Sequence, residues 1–217
     1  MPFDIKKFCM MACCSKVICK GCAFAYQIRE LEEGLQSSCP FCRESADMTD
    51  VERKKLVMKR IKANDPNAMR YEGAAQYAKG EYRRAFEYYT KAAELGDALS
   101  HYNLSCLYRD GKGVEKDEGK KIHHREEAAI GGHVDSRFNL GAYEWNSGQK
   151  ERAVKHWIIA AKLGDDDSIK QLMGKYREGY VSKEDLDVAL RAHKTAVDAT
   201  KSPQRKAAND FQMMRYY

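Results

Sequence analysis

The sequence has no run of about 18 apolar residues, so it offers no helix of the length needed to cross a membrane. Residues 1–14 hold neither a long apolar core nor a small-residue cleavage site, and do not read as a secretory signal. The expected setting is therefore intracellular, cytoplasmic or nuclear, and reducing. Only four prolines occur, which argues against a disordered proline-rich tail. No histidine precedes His101, and no glycine-rich phosphate loop, serine elbow or paired-carboxylate motif stands out. The 38 basic residues exceed the 32 acidic ones by too little to indicate nucleic-acid binding.

Cysteine is present and unevenly placed. Seven of the eight cysteines lie before residue 43. In a reducing compartment such clustering favours a metal over disulfides. Two Cys-x2-Cys hooks, Cys19/Cys22 and Cys39/Cys42, are separated by sixteen residues, and Cys9, Cys13 and Cys14 lie just upstream. Paired hooks at that separation read as a zinc site, because each turn places two thiolates on one side of a tetrahedral ion. Two wirings are open. Cys19, Cys22, Cys39 and Cys42 hold one ion, or the hooks serve different ions. Two ions need eight ligands and the region has seven cysteines, so one zinc is expected and a second needs an acidic ligand such as Asp4.

The rest of the chain repeats itself. Ala92-Ala93-Glu94-Leu95-Gly96-Asp97, Ala128-Ala129-Ile130-Gly131-Gly132-His133 and Ala160-Ala161-Lys162-Leu163-Gly164-Asp165 end three successive units. Gly96 to Gly132 is 36 residues and Gly132 to Gly164 is 32; the difference falls in the loop after Gly111. Each unit reads as two helices, with the alanine pair at a close crossing and the glycine at a left-handed C-terminal turn. One hairpin cannot bury its own apolar face, so the hairpins stack. A weaker fourth unit from Asp166 to about Ala199 reads as an end cap.

The pattern Tyr102-Asn103-Leu104, Tyr108, Gly111-Lys112-Gly113-Val114, Asp117, Ala128-Ala129 and Gly132 resembles a Sel-one-like repeat, the longer-loop relative of the tetratricopeptide repeat. The stretch Cys14-Ser15-Lys16-Val17-Ile18-Cys19-Lys20-Gly21-Cys22 is similar to the central stretch of a RING-type zinc finger, and Cys39-Pro40-Phe41-Cys42-Arg43 is similar to its final hook. That family's first cysteine pair has no counterpart here, and Lys16 stands at its histidine position, with Cys13 or Cys9 as substitute ligands. The resemblance implies a cross-brace, with ligands Cys14, Cys19, Cys22, Cys39 and Cys42. It also implies a docking surface for a ubiquitin-conjugating enzyme at Pro40 and Arg43.

The expected fold is mostly α: an α-solenoid of helix-turn-helix repeats behind a small N-terminal RING-like zinc module. The segments are 1–46 for the zinc module, 47–64 for a basic helical linker, 65–199 for the solenoid and 200–217 for a basic flexible tail. Asp50 is expected to cap the linker helix, and Ala23 to Leu35 to form a helix with Phe24, Ile28, Leu31 and Leu35 near one face. Asn103 and Asn139, one period apart, are candidate partner-binding residues in the repeat groove. Cys106 reads as a core thiol, and His123, His124, His133 and His156 as surface or capping residues. The function expected is a zinc-binding interaction scaffold that recruits a protein partner through its repeats. The alternative is a RING-type ubiquitin ligase whose repeats select the substrate.

Overall fold

The computed structural model describes residues 8–11, 13–204, 206, 207 and 210. Asp4 and most of the expected tail lie outside them. The described chain starts with two short antiparallel strands, β1 (Phe8–Met10) and β2 (Val17–Cys19), followed by ten helices. These are α1 (Lys20–Glu32), α2 (Asp50–Lys62), α3 (Pro66–Ala78), α4 (Tyr82–Glu94), α5 (Ala98–Asp110), α6 (Glu118–Ile130), α7 (Val134–Asn146), α8 (Lys150–Lys162), α9 (Asp166–Arg177) and α10 (Lys183–Thr200). The chain divides into two compact units. One runs from Gly73 to Thr200, and the other holds the cysteine region and reaches Glu72. No helix is long and apolar enough to cross a membrane among the described residues.

In the larger unit each helix packs on the next, α4 on α5, α5 on α6 and so on to α8 on α9, and α10 lies against both α8 and α9. The six alanines of the repeat endings are buried, and Gly96, Gly132 and Gly164 take left-handed φ values of 83°, 87° and 93°. A second small-residue position lies inside the first helix of each pair. A Cβ on Gly141 would stand 2.6 Å from the indole nitrogen of Trp157, and one on Gly73 would stand 2.7 Å from the ring of Tyr89. The missing side chain is therefore the space the opposing ring fills. Trp157 is buried and donates to the Phe138 carbonyl at 3.3 Å. It joins Ala153, Ala161, Leu172, Val181 and Leu186 in the distal core, while Ala85, Tyr89, Leu104 and Leu107 form the proximal one.

The longer loop of the second unit is also held by glycine. Gly113 has φ 72°, and a Cβ there would meet the Tyr82 backbone at 2.6–2.7 Å, so the loop lies flat on the start of α4 while Val114 packs into the proximal core.

The starts of α5, α7 and α9 follow one device. Asp97 Oδ2 accepts from the amide of the buried Ser100 at 2.9 Å and from its hydroxyl at 2.6 Å, and Asp165 Oδ2 accepts from the Ser168 amide at 2.7 Å. His133 replaces the aspartate at α7, its Nδ1 accepting from the Ser136 amide at 3.2 Å. The linker helix is capped one residue before the expected position. Thr49 is the N-cap, accepting from the Glu52 amide while Glu52 accepts from the Thr49 amide at 2.8 Å, and Asp50 is the first helical residue. A reciprocal capping box satisfies two orphan amides where Asp50 alone could satisfy one. Similarly, α1 begins at Lys20 rather than Ala23, because Cys19 Sγ accepts from the Cys22 amide. Its Leu31 is 78% exposed and Leu35, past the helix end, is 54% exposed, so neither joins a buried face.

Two stability predictions follow from these contacts. Gly141→Ala should lower solenoid stability by about 1–3 kcal/mol, despite alanine's better helix propensity, because the new methyl must displace the Trp157 ring; a thermal or urea melt reads this. Burial holds the His133 imidazole below its usual pKa, so the unfolded chain binds its proton first as pH falls. Its capping contribution is complete above about pH 6.5 and is lost as pH drops towards the lower folded value. The melting temperature should fall over that window, and His133→Asp should flatten part of the fall, because a carboxylate keeps accepting there.

Candidate metal centre

Two turns bring four thiols together. The first is the β1–β2 hairpin tip, where the Met11 amide donates to the Lys16 carbonyl at 2.8 Å and the Ser15 amide to the Met11 carbonyl at 2.7 Å. Ser15 takes a left-handed φ of 55° to close this turn, which carries Cys13 and Cys14. The second turn is Cys39-Pro40-Phe41-Cys42. The Cys39 amide donates to the Glu44 carbonyl at 2.8 Å, the Arg43 amide to the Cys39 carbonyl at 3.0 Å, and Ser38 bridges Ser45 across its base. Arg43 closes it at φ 62°.

The Sγ atoms of Cys13, Cys14, Cys39 and Cys42 all lie within 4.8 Å of one another. Cys14 and Cys39 are 3.7 Å apart, and Cys42 and Cys13 are 3.4 Å apart. A tetrahedron with metal–sulfur bonds of about 2.3 Å has edges of about 3.8 Å, so these four thiols fit a single closed site. All four are thiols rather than disulfide halves. Burial works to raise the Cys39 thiol, but the amides of Cys42 and Phe41 and the thiols of Cys13 and Cys42 donate to it and bring its pKa down to about 7. Cys13 and Cys14 are pushed the other way, first by burial. Backbone amides aimed at the Cys39 sulfur favour the thiolate form that a metal ligand needs.

The carbonyl of Cys13 accepts from both Nε and an Nη of Arg60 on α2, at 3.3 and 3.2 Å. This guanidinium places positive charge beside four sulfurs that would carry net negative charge around a divalent ion.

Of the ligands expected from the sequence, Cys14, Cys39 and Cys42 are in the cluster, and Cys13 is the substitute that completes it. Cys19 and Cys22 are not in that group; they sit at the start of α1 with the Cys22 amide on the Cys19 sulfur at 3.3 Å. The side chain of Cys9 lies outside the described residues. Lys16 is exposed. Cys13 was the harder residue to place from sequence, since adjacent cysteines in an extended chain point apart. The tight Met11–Lys16 turn is what lets both sulfurs face one side.

Arg43 is exposed but anchored. Its guanidinium donates to the Tyr26 hydroxyl at 2.6 Å and lies 5.8 Å from that ring's centre. Tyr26 in turn contacts Ser38 Oγ at 3.0 Å, and buried Glu30 accepts from the Ser38 amide and hydroxyl at 2.9 and 3.0 Å. This chain ties α1 to the Cys39 turn. Pro40 is half-buried, and Phe41 beside it is 47% exposed. In the repeats, Asn139 Nδ2 donates to the Asp135 carbonyl of its own helix at 2.6 Å, and Asn103 is half-buried on α5. Cys106 is half-buried rather than in either core.

The repeat model named Sel1 matches residues 68–97, 98–133 and 134–165. The chain carries three Sel1 repeats. Their boundaries coincide with the capped helix starts at Asp97, His133 and Asp165. No RING or zinc-finger family model matches. Over 105 residues the chain is 29% identical to chitin synthase regulatory factor 4 of Schizosaccharomyces pombe (strain 972 / ATCC 24843), a match that covers 45% of this chain and 17% of that protein. Among solved structures it is similar to a Sel1 repeat protein from Oxalobacter formigenes, with a TM-score of 0.57, 24% identity and coverage of 82% of this chain and 73% of that one. It is also similar to c5321, a protective antigen of uropathogenic Escherichia coli with an SLR fold, at a TM-score of 0.56, 20% identity and coverage of 82% and 38%. These likenesses establish the helical-repeat fold.

Proposed function

We propose that the chain is a zinc-binding interaction scaffold. Cys13, Cys14, Cys39 and Cys42 would hold one zinc, and the Sel1 repeats would take a protein partner. The observation that carries this reading is the convergence of four thiols from two turns at tetrahedral spacing. An all-sulfur tetrahedral donor set suits zinc, and the cluster closes without an open position for substrate. Bound zinc would supply a cross-link between the hairpin tip and the Cys39 turn, in a module too small to rely on a hydrophobic core. The relative with a regulatory-factor name points the same way, since regulation by binding needs a surface and no chemistry of its own.

The second reading, a RING-type ubiquitin ligase, is favoured by the wiring. In a cross-brace the two hooks serve different ions, and here Cys39 and Cys42 group with Cys13 and Cys14 while Cys19 and Cys22 stand apart. Exposed Phe41, Leu31 and Leu35 in the same unit would offer apolar surface to a conjugating enzyme, beside the anchored Arg43.

Metal analysis of the purified chain should find zinc, and Cys13→Ser or Cys39→Ser should lose at least one equivalent that Cys19→Ser retains. Retention of all zinc by Cys13→Ser would overturn the assignment. Partner capture with the wild type should fail when the repeats are broken by Gly141→Trp. For the ligase reading, autoubiquitination across a panel of conjugating enzymes should be present and fall at least tenfold in Arg43→Ala; silence of the zinc-loaded wild type across the panel removes it.

A further inference from the structure

Among the described residues, one buried charge in the Sel1 repeats has no counter-charge. Arg125 on α6 is only 8% exposed. Its Nε is fully buried with no acceptor, and no carboxylate among the described residues lies within ion-pair distance of its guanidinium. Glu144, 6% exposed, meets Arg152 at 2.8 Å, while half-buried Arg137 on α7 shares with Arg125 an Nε that has no acceptor.

The groups around Arg125 are accounted for and none neutralises it. Its charge is felt by Cys106, Arg109 and Tyr102 of α5 and by Glu118 of its own helix. Glu118 is committed to Lys121. Arg109 is forked on Asp110, with Nε and an Nη donating at 2.7 and 3.2 Å, so that pair is neutral within itself. Tyr102 is linked to the Cys106 thiol and stays a neutral phenol, its pKa pushed up to about 12 by burial first and then by Cys106. Its ring is fixed by stacking on His133 at 4.3 Å. What remains is a net positive guanidinium beside a rigid hydroxyl.

Arginine does not shed its proton to escape burial. Leaving a buried charge unpaired is destabilising, and a bound anion would relieve that cost. The Nη atoms are absent from the fully buried unpartnered set, so that edge of the fork is the part solvent reaches. A guanidinium edge that solvent touches can donate to both oxygens of a carboxylate.

We propose that Arg125, assisted by Tyr102, is a receptor for a carboxylate of an acidic peptide segment in the partner of the Sel1 repeats. The proposal rests on the scaffold reading of those repeats. The carboxylate has two sources, an Asp or Glu side chain or a chain terminus, and the chemistry at Arg125 is the same for both.

The test uses the full chain, its Arg125→Met and Arg125→Lys variants, and a Lys170→Ala surface control. Three fluorescein-labelled Gly/Ser peptides serve as probes: one with a single Glu and an amidated end, one with no acidic side chain and a free terminal carboxylate, and one with neither. Fluorescence anisotropy should show at least a tenfold preference of the wild type and of Lys170→Ala for one of the two acidic probes, and which one identifies the source. Arg125→Met should lose that preference and Arg125→Lys keep part of it. Without peptide, Arg125→Met should melt at or above the wild-type temperature, because it removes an uncompensated charge. A lower melting temperature for Arg125→Met, with Arg125→Lys equal to wild type, would make Arg125 structural and overturn the proposal. Equal binding of all three probes, or a preference that survives Arg125→Met, would overturn it too. If partner capture persists in that case, the scaffold reading stands without this site; if it fails as well, the reading beneath the site is gone.

Discussion

The repeat region depends on how closely its helices can approach. Ala92, Ala128 and Ala160 are completely buried, as are Gly141's counterpart ring on Trp157 and the serines Ser100, Ser136 and Ser168 that the N-caps hold. A methyl, a hydrogen or a hydroxymethyl at these crossings sets the spacing between neighbours, and the large residues then fill what is left. Stability in such an array comes from each pair's contact with the next, so the small residues matter more than their own buried area suggests. The same constraint decides where polar groups can survive. At the starts of α5, α7 and α9 the amide of a buried serine is met by the Asp97, His133 or Asp165 side chain, and the hydroxyl of Ser100 is met by Asp97 as well.

The cysteine module rests on a different principle. Among its described residues it has few buried apolar side chains, with Cys39 the main one. Turn geometry supplies the order that a core would otherwise give. Left-handed Ser15 and Arg43 close the two turns, and the Arg43–Tyr26–Ser38–Glu30 chain of hydrogen bonds ties the second turn to α1. A metal joining those turns would act where hydrophobic burial is least available. Arg60 reaching the Cys13 carbonyl extends that order to α2, which sequence composition alone presents as a solvated basic helix.

The repeats were legible in the sequence because their signal is local and recurs: alanine pairs, the following glycine and the residue after it fix helix ends one period apart. The cap at Thr49 was less visible beside Asp50, since both residue types cap well and only the reciprocal bond to Glu52 separates them. The thiol grouping was legible in kind and not in wiring. Spacing shows which cysteines share a turn. Which turns face each other depends on the hairpin tip and the Cys39 turn, whose ends are 25 residues apart at Cys14 and Cys39. Cys13 enters the cluster through a backbone turn that no residue pattern announces.

Arg125 shows the opposite limit. Nothing in Ile122-His123-His124-Arg125-Glu126-Glu127 marks the arginine, and two following glutamates suggest that it is well supplied with negative charge. On a helix, however, neighbours at i+1 and i+2 point elsewhere. Glu118, two turns back on the same side, is taken by Lys121, and the nearest acidic residue on α5 is taken by Arg109. The absence of a partner among the described residues is thus a property of the packed pair α5–α6 and of no shorter piece of chain. A charge left in that state lowers the stability of the free protein, and an anion bound there would recover that cost.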